Sequence, residues 1–208
     1  MTNAKRWLAN DNIRLRAPEP EDLELLYKME NDTTLWSVGN ATLPYSRYTL
    51  RNYIEQTNND LYAERQARFV IELADGTAAG MIDLADYSPL DARAEVCIGL
   101  LSEHRGTGIA IEALTLLRDY AIGYLNLNQL YAFIPKNHEK SKKLFEKAKF
   151  QESATLKSWK REGEKFIDIA LFQLIKKTMI ISANMHKNEK NEKFLSKMRK
   201  KVSKNLQV

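Results

Sequence analysis

Arg105-Gly106-Thr107-Gly108-Ile109-Ala110 is the stretch that decides the fold of this chain. It lies between a segment rich in strand-forming residues, 93–101, and a segment with apolar residues at helical spacing, 109–125. The two glycines therefore occupy the turn where a strand gives way to a helix. Backbone N–H groups at a helix start have no partner within the helix and together carry about half a positive charge. A phosphate bound there accepts hydrogen bonds from these groups and is attracted by their charge. We predict that this stretch binds a pyrophosphate group.

Two more common phosphate-binding loops do not match this stretch. The Walker loop ends in Gly-Lys-Ser or Gly-Lys-Thr, which is absent here. The dinucleotide-binding fingerprint requires a third glycine, where this chain has Ile111, and an acidic residue about 20 positions further on, where it has Asn126 and Asn128. The stretch therefore indicates a different kind of coenzyme site.

The same stretch resembles the Arg/Gln-x-x-Gly-x-Gly/Ala pattern of the GNAT acyltransferases, which Arg105, Gly108 and Ala110 match. Three further segments follow the order found in bacterial spermidine N-acetyltransferases and ribosomal-protein N-terminal acetyltransferases, and the resemblance extends over 13–175. It implies the GNAT fold, acetyl-CoA as co-substrate and transfer of an acetyl group to a primary amine. The three segments are 80–84, 93–95 and 145–150.

Hydrophobic periodicity divides the rest of the chain into strands and helices. Asp75-Gly76 between two strand-like segments is a strong hairpin signal, and the proline and acids of 18–22 are typical of a helix start. The sequence predicts an α/β (α+β) layer with a mixed, mostly antiparallel sheet, which is also the fold that the resemblance implies. The predicted strands are 13–16, 68–73, 80–85, 93–101, 129–134, 151–159 and 165–174, and the predicted helices are 18–31, 47–58, 109–125 and 139–149.

Length and charge divide the chain into two parts. A chain of 208 residues with 44% apolar content is long enough for one domain with a substantial core, and we assign residues 1–175 to it. Residues 176–208 hold ten Lys and Arg against two Glu, a net charge of +8, so the whole-chain charge of +5 leaves −3 on the first part. A mildly acidic catalytic domain suits a cationic substrate.

The basic extension has an apolar stripe of Leu195, Met198, Val202 and Leu206, which predicts a helix. Three roles stay open for it: packing on its own domain or on a second subunit of a homo-oligomer, binding of nucleic acid, or no fixed contact. Because the first part of the chain gives no sign of an anionic partner, we favour packing and do not expect nucleic acid as a partner.

Cysteine and histidine content limits the chemistry further. Cys97 is the only cysteine, so no disulfide forms within the chain, and with no apolar signal segment at the N-terminus we expect a cytoplasmic protein. No run reaches the roughly 18 apolar residues that a membrane span needs. His104, His138 and His186 lack metal-ligand spacing, so no metal is expected.

An amine acceptor requires a base. An alkylamine with a pKa of about 10.4 is almost fully protonated at neutral pH, so its attack on a thioester requires a route for that proton to leave. The resemblance places Asp83 where polyamine acetyltransferases carry an acid, and Glu95 lies on the strand that leads into the loop. We predict that one of them takes the proton. The alternatives are a solvated strand carboxylate for Asp83 and an ion pair with Arg93 for Glu95.

The strand before the loop is predicted to hold the acyl end of the coenzyme. A backbone N–H from Ile98, Gly99 or Leu100 would donate to the thioester oxygen, a contact worth on the order of 3 kcal/mol. The same residues would pair with the amide-containing pantetheine arm like an added strand. The alternative for Gly99 is a simple bulge glycine.

The predicted helix 139–149 and the residue before it each differ from the family at one position. Spermidine acetyltransferases carry a tyrosine, the usual proton donor for the leaving thiolate, where this chain has Phe145. Ser141 lies one turn earlier on the same face and resembles the hydroxyl of ribosomal-protein acetyltransferases; it is otherwise an ordinary residue near a helix start. His138 replaces an asparagine that contacts the coenzyme, and either coenzyme contact or helix capping stays open for it. The resemblance thus implies coenzyme contacts for Ser141, Phe145 and His138.

Three readings of the function follow. The first is an acetyl-CoA-dependent N-acetyltransferase for a polyamine or another small amine. The second is an N-terminal acetyltransferase for a protein, and the third is a CoA-binding protein with little catalysis, which the Phe145 substitution motivates.

Overall fold

The computed structural model describes residues 6–36, 43–58 and 60–176, and in that part of the chain a seven-stranded sheet is flanked by helices. This part of the chain also contains the 3-10 turns Pro20–Asp22 and Ser102–His104. The strands are β1 (Ile13–Arg16), β2 (Ala67–Leu73), β3 (Ala78–Ser88), β4 (Arg93–Leu100), β5 (Gln129–Pro135), β6 (Gln151–Glu162) and β7 (Lys165–Ile175); the helices are α1 (Leu23–Glu30), α2 (Thr33–Trp36), α3 (Arg47–Gln56), α4 (Leu61–Glu64), α5 (Ile109–Gly123) and α6 (Glu139–Lys147).

The sheet has the strand order β1-β2-β3-β4-β5-β7-β6. Neighbours from β1 to β4 are antiparallel, as are β6 and β7, whereas β4 and β5 run parallel. A parallel pair needs a crossover connection, and α5 supplies it. The mixed, mostly antiparallel sheet predicted from the sequence is confirmed.

The parallel pair of β4 and β5 is short. Its register joins Arg93 with Gln129, Ala94 with Leu130 and Glu95 with Tyr131, and no further residue pair follows, although both strands continue. Residues 96–100 of β4 therefore keep backbone groups on the β5 side that the sheet does not use. We call these residues the open edge of β4.

The two faces of the sheet pack against different helices. Val70 and Met81 form one core cluster with Leu26 of α1 and with residues of α3. On the opposite face, Phe69 contacts Tyr120 of α5 edge to face, with ring centroids 6.3 Å apart. Since side chains alternate between faces along a strand, every second side chain of β3 and β4 points toward the face that carries α1 and α3.

The structure adds detail that the periodicity did not predict. The short helices α2 and α4 were missed, the helix predicted from residue 18 begins as a 3-10 turn, and α5 ends at Gly123 instead of residue 125. The predicted basic helical extension lies outside the described residues apart from Lys176, so it stays a prediction. None of the described helices is both long and apolar enough to cross a bilayer.

The end of α6 generates a stability prediction. Lys149 has a φ of 77°, and its N–H donates to the Glu146 carbonyl at 2.9 Å, while the Phe150 N–H donates to the Phe145 carbonyl at 3.0 Å. A left-handed backbone costs a non-glycine residue roughly 1 kcal/mol, and glycine is the residue that this helix-end position favours. We expect Lys149→Gly to raise the free energy of unfolding in urea by about 1 kcal/mol.

Lys147→Gly is the matched control for this prediction. Lys147 lies within α6, where glycine costs about 1 kcal/mol through backbone entropy, so that variant should be less stable than the parent. A loss of stability in both variants would show that the left-handed residue is not strained.

Candidate active site

The loop before α5 presents backbone N–H groups to open space. Gly106 and Gly108 have φ values of 81° and 94°, and a Cβ added to either would meet nothing within 4 Å. Among the hydrogen bonds within the described residues, none uses the backbone N–H of Gly106, Gly108, Ile109 or Ala110. These donors lie at the positive end of a 15-residue helix, so the loop fits an anionic phosphate group.

Side-chain hydrogen bonds of Arg105 and Thr107 hold this loop in place. The Thr107 Oγ1 donates to the His104 carbonyl at 2.8 Å. Arg105 donates from Nε to the Leu100 carbonyl at 3.0 Å and from Nη2 to the Asp32 carboxylate at 3.3 Å. The guanidinium thereby ties the end of β4 to the corner between α1 and α2 and keeps further N–H donors for a ligand.

Coenzyme A fits these residues. The loop offers the donors that a pyrophosphate needs, and the open edge of β4 offers backbone groups to an amide-containing arm. Gly99 lies on this edge opposite Met81 in regular register, so the bulge alternative for Gly99 is wrong. A Cβ at this position would lie 2.8 Å from the Met29 Cε, the end of a flexible side chain that can move aside at little cost.

Asp83 is held by an arginine in the sheet. Arg68 donates to it from Nε at 3.2 Å and from Nη2 at 2.9 Å, and it also donates from Nη1 to Glu30 at 2.8 Å. Only 19% of the Asp83 side chain is exposed, so the alternative of a solvated strand carboxylate is wrong. Burial raises the pKa of Asp83, Arg68 opposes that rise, and the neighbouring Glu30 adds to it.

Glu95 lies on the same face of the sheet as Asp83 but has no ion pair among the described residues. Its position follows from register, since Asp83 is opposite Cys97 and Glu95 is two residues before Cys97. The Cys97 thiol donates a long contact of 3.8 Å to the carboxylate. Burial and the nearby Asp86 charge raise the pKa of Glu95. The alternative that Arg93 pairs with Glu95 is wrong.

Arg93 instead belongs to a cluster with Asp86 and Tyr131. It donates to Asp86 at 2.8 Å and to the Tyr131 hydroxyl at 3.1 Å, and Tyr131 donates a short hydrogen bond to the same Asp86 oxygen. The sequence does not predict Asp86 and Tyr131 as site residues, because no local motif marks them. We call these three residues the vertex cluster, because Tyr131 belongs to the last pair before β4 and β5 part.

The residues predicted on α6 have different surroundings. The His138 Nδ1 accepts from the Ser141 N–H at 3.2 Å, so His138 caps the helix, and an imidazole that accepts at Nδ1 carries its proton on Nε2. No hydrogen bond within the described residues uses the Ser141 hydroxyl. Phe145 is 4% exposed and packs edge to face on Phe150 at 5.0 Å. Its contact with the coenzyme, like those of His138 and Ser141, stays a prediction.

Cys97 lies between the two candidate carboxylates. Its side chain is open to solvent at the sheet surface, yet surrounding protein atoms and the charges of Glu95 and Asp83 raise the pKa of the thiol to about 12. It is therefore protonated at neutral pH and a poor nucleophile. Within the described residues, no group of three His, Cys, Asp or Glu is arranged to hold a metal ion.

A family model matches most of the chain. Residues 12–151 match the model described as the acetyltransferase (GNAT) domain. This range contains the loop, β4, α6 and all residues predicted to bind the coenzyme or to act in catalysis.

Individual relatives agree with that match. Spermidine N(1)-acetyltransferase from Escherichia coli (strain K12) is 29% identical over 139 residues, which cover 67% of this chain and 73% of the relative. YdaF from Bacillus subtilis (strain 168), named as a candidate ribosomal N-acetyltransferase, is 28% identical over 172 residues, 81% of this chain and 93% of the relative. Both branches that the sequence resembles are thus among its relatives.

A solved structure supports the fold. Spermidine N-acetyltransferase from Vibrio cholerae, in complex with CoA and spermine, matches with a TM-score of 0.71 at 24% identity, over 81% of this chain and 98% of the other. The fold predicted from the resemblance is confirmed.

The loop generates a binding prediction. Gly108→Ala adds a methyl group in the open space beside the loop, and glycine in such loops allows the backbone to approach a pyrophosphate closely. We expect the dissociation constant for CoA, measured by titration calorimetry, to rise roughly tenfold or more, equivalent to about 1.4 kcal/mol.

Gly76→Ala is the matched control for Gly108→Ala. Gly76 has a φ of 88° and equally open surroundings, so both variants bear the same backbone strain, but Gly76 lies in the β2–β3 hairpin. Equal loss of CoA affinity in both variants would attribute the effect to stability and contradict the assignment of the loop.

Proposed function

We propose that this chain, which belongs to the GNAT acetyltransferase family, moves the acetyl group of acetyl-CoA to a primary amine, with a polyamine or another small amine as acceptor. The observation that carries the proposal is Glu95, a partly buried carboxylate without an ion pair among the described residues, next to the open edge of β4. Spermidine is the acceptor named for a relative that matches 67% of this chain, which supports the polyamine class.

The donor side is formed by the loop and the open edge of β4. Acetyl-CoA supplies an acetyl group activated as a thioester. The N–H groups of Gly106, Gly108, Ile109 and Ala110 bind its pyrophosphate, and Arg105 adds a positive charge. A backbone N–H of the open edge donates to the thioester oxygen, where negative charge grows during attack, and one such donor is worth on the order of 3 kcal/mol.

Glu95 is the better of the two candidate bases. A base must attract a proton, and the Asp83 carboxylate is already occupied by two N–H donors from Arg68. Glu95 receives only the weak thiol contact, and burial raises its pKa, which makes its carboxylate a better proton acceptor. We therefore assign proton removal to Glu95 and a charge-balancing role to Asp83.

Protonation of the leaving thiolate is assigned to Ser141. Its hydroxyl is not used by the surrounding helix, and its backbone N–H is fixed by the His138 cap. A thiol pKa of about 8.5 makes the thiolate a modest leaving group, so a hydroxyl or water suffices in place of the family's tyrosine. His138 would present Nε2–H to the coenzyme, and Phe145 would support this helix from the core.

Two alternatives remain open. N-terminal acetylation of a ribosomal protein is favoured by the Ser141 hydroxyl, one turn before the tyrosine position that Phe145 occupies, together with the YdaF relative. CoA binding with little catalysis is favoured by Phe145. We further propose a cytoplasmic location, which the free Cys97 thiol supports, and packing of the basic extension against this domain or in a homo-oligomer.

Released thiol, measured during acetyl-CoA turnover, tests the acceptor. Spermidine, spermine, simple alkylamines and short peptides with varied N-termini form the panel. Turnover on polyamines is expected; turnover on peptides alone would favour the ribosomal alternative. CoA binding without turnover on any amine would favour the binding protein.

Glu95→Gln tests the base. The amide keeps the size of the side chain but cannot accept the proton, so kcat should fall by roughly 100-fold to 10 000-fold while the affinity for CoA is kept. Glu21→Gln is the control, because it makes the same change at an exposed carboxylate of the first 3-10 turn and should leave kcat within about threefold. A kcat for Glu95→Gln near that of the parent would remove Glu95 from the mechanism.

The pH dependence of kcat follows from the same carboxylate. Glu95 acts only when deprotonated, and burial raises its pKa, so kcat should fall as the pH is lowered through that raised value. The acidic limb should therefore lie above the ordinary glutamate pKa of about 4.3. A limb at or below that value would contradict the assignment.

A further inference from the structure

Asp86 has a strained backbone at a functional position. Its φ is 43°, and the register of β3 with β4 shifts between Ala85 and Ser88, which places Asp86 in a bulge. A non-glycine residue in this conformation costs roughly 1 kcal/mol or more, and such strain persists only where surrounding contacts impose it. Two sets of contacts hold this segment: the Asp86 carboxylate bonds within the vertex cluster, and the next residue, Tyr87, donates its N–H to the Arg65 carbonyl at 2.9 Å.

The bulge delivers the Asp86 carboxylate to two partners from other strands. One Asp86 oxygen accepts from both Arg93 of β4 and Tyr131 of β5. Tyr131 is only 7% exposed, so its hydroxyl depends on partners within the protein, whereas 61% of the Asp86 side chain is exposed. The cluster therefore joins three strands through one oxygen at the surface of the sheet.

The vertex cluster flanks Glu95 on both sides. Glu95 pairs with Ala85, the residue before Asp86, and it pairs on its other side with Tyr131. The Glu95–Tyr131 pair is the last before β4 and β5 separate, so the sheet supports β4 on one side only in the residues that follow Glu95. The hydrogen bond between Asp86 and Tyr131 adds a side-chain cross-link between β3 and β5 at this last pair.

We propose that Asp86 is a positioning residue that fixes Glu95, through Tyr131 and Arg93, where β4 and β5 separate. The proposal rests on the role of Glu95 in the proposed function. Asp86 acts in two ways: its hydrogen bonds set the geometry, and its charge disfavours ionisation of Glu95. The other titratable or charged groups around Glu95 are Cys97 and Arg93 on β4, Tyr131 on β5 and, further along the face, Asp83 with Arg68.

Two variants of Asp86 separate geometry from charge. Asp86→Ala removes both hydrogen bonds, and a displaced base should lower kcat by roughly tenfold to 100-fold. Asp86→Asn keeps an oxygen that accepts from Tyr131 and Arg93 but removes the charge, so the plateau of kcat should recover while the acidic limb of the pH profile moves to lower pH. Tyr131→Phe, which keeps the ring and loses the hydroxyl, should lower kcat as Asp86→Ala does.

Asp91→Ala is the matched control. Asp91 contacts the same arginine from another side, at 3.4 Å from Nε, and it does not touch Tyr131. Its kcat and pH profile should match those of the parent protein. Titration with CoA is carried out on every variant, and unchanged affinity shows that the fold and the donor side are intact.

Measuring Glu95→Gln beside these variants distinguishes failure of the positioning role of Asp86 from failure of Glu95 as the base. If Glu95→Gln loses turnover but Asp86→Ala and Tyr131→Phe keep it, the positioning role is overturned and the base stands. An Asp86→Asn profile with an unmoved acidic limb, or equal losses in Asp86→Ala and Asp91→Ala, would also overturn the positioning role. Retained turnover in Glu95→Gln would overturn both assignments.

Discussion

Pairing between β4 and β5 stops at Glu95 and Tyr131, and the rest of the candidate site depends on this interruption. Beyond it, β4 keeps one edge bonded to β3 and leaves the other edge open, which is the arrangement that an amide-containing arm needs for strand-like binding. The open edge leads directly into the glycine loop, so backbone donors for the acyl end and for the pyrophosphate lie along one continuous segment. In the proposed mode of binding, main-chain groups therefore supply most of the contacts to the coenzyme.

Arginine side chains form ion pairs with most of the carboxylates near the open edge of β4, and a paired carboxylate is a poorer proton acceptor. Arg68 holds Asp83 and Glu30, Arg93 holds Asp86, and Arg105 holds Asp32. Each pair satisfies a partly buried charge that would otherwise be costly. Glu95 is left without such a partner among the described residues, and the same burial that makes its charge unfavourable makes it a better proton acceptor. An incoming ammonium group would supply the missing positive charge before it gives up its proton.

Periodicity and turn signals predicted every strand and the long helices, because those patterns reflect burial of one face against the core. The short helices α2 and α4 were missed because four residues are too few to show a period. The left-handed backbone of Lys149 and Asp86 was not predicted either, because such a conformation at a non-glycine residue has no signature in the sequence. The structure shows that His138 caps α6, and its contact with the coenzyme stays a prediction.

The sequence by itself determined the family and the unit of strand, glycine loop and helix that is predicted to bind the coenzyme, since these parts are neighbours along the chain. The partners of the charged side chains were decided only by the tertiary structure. Arg93 stands two residues from Glu95 but bonds Asp86 and Tyr131, and Arg68 reaches Asp83 from another strand. Strand register and a single bulge set these contacts, and both depend on pairing between segments far apart in sequence, where one residue of slip would turn each side chain to the other face.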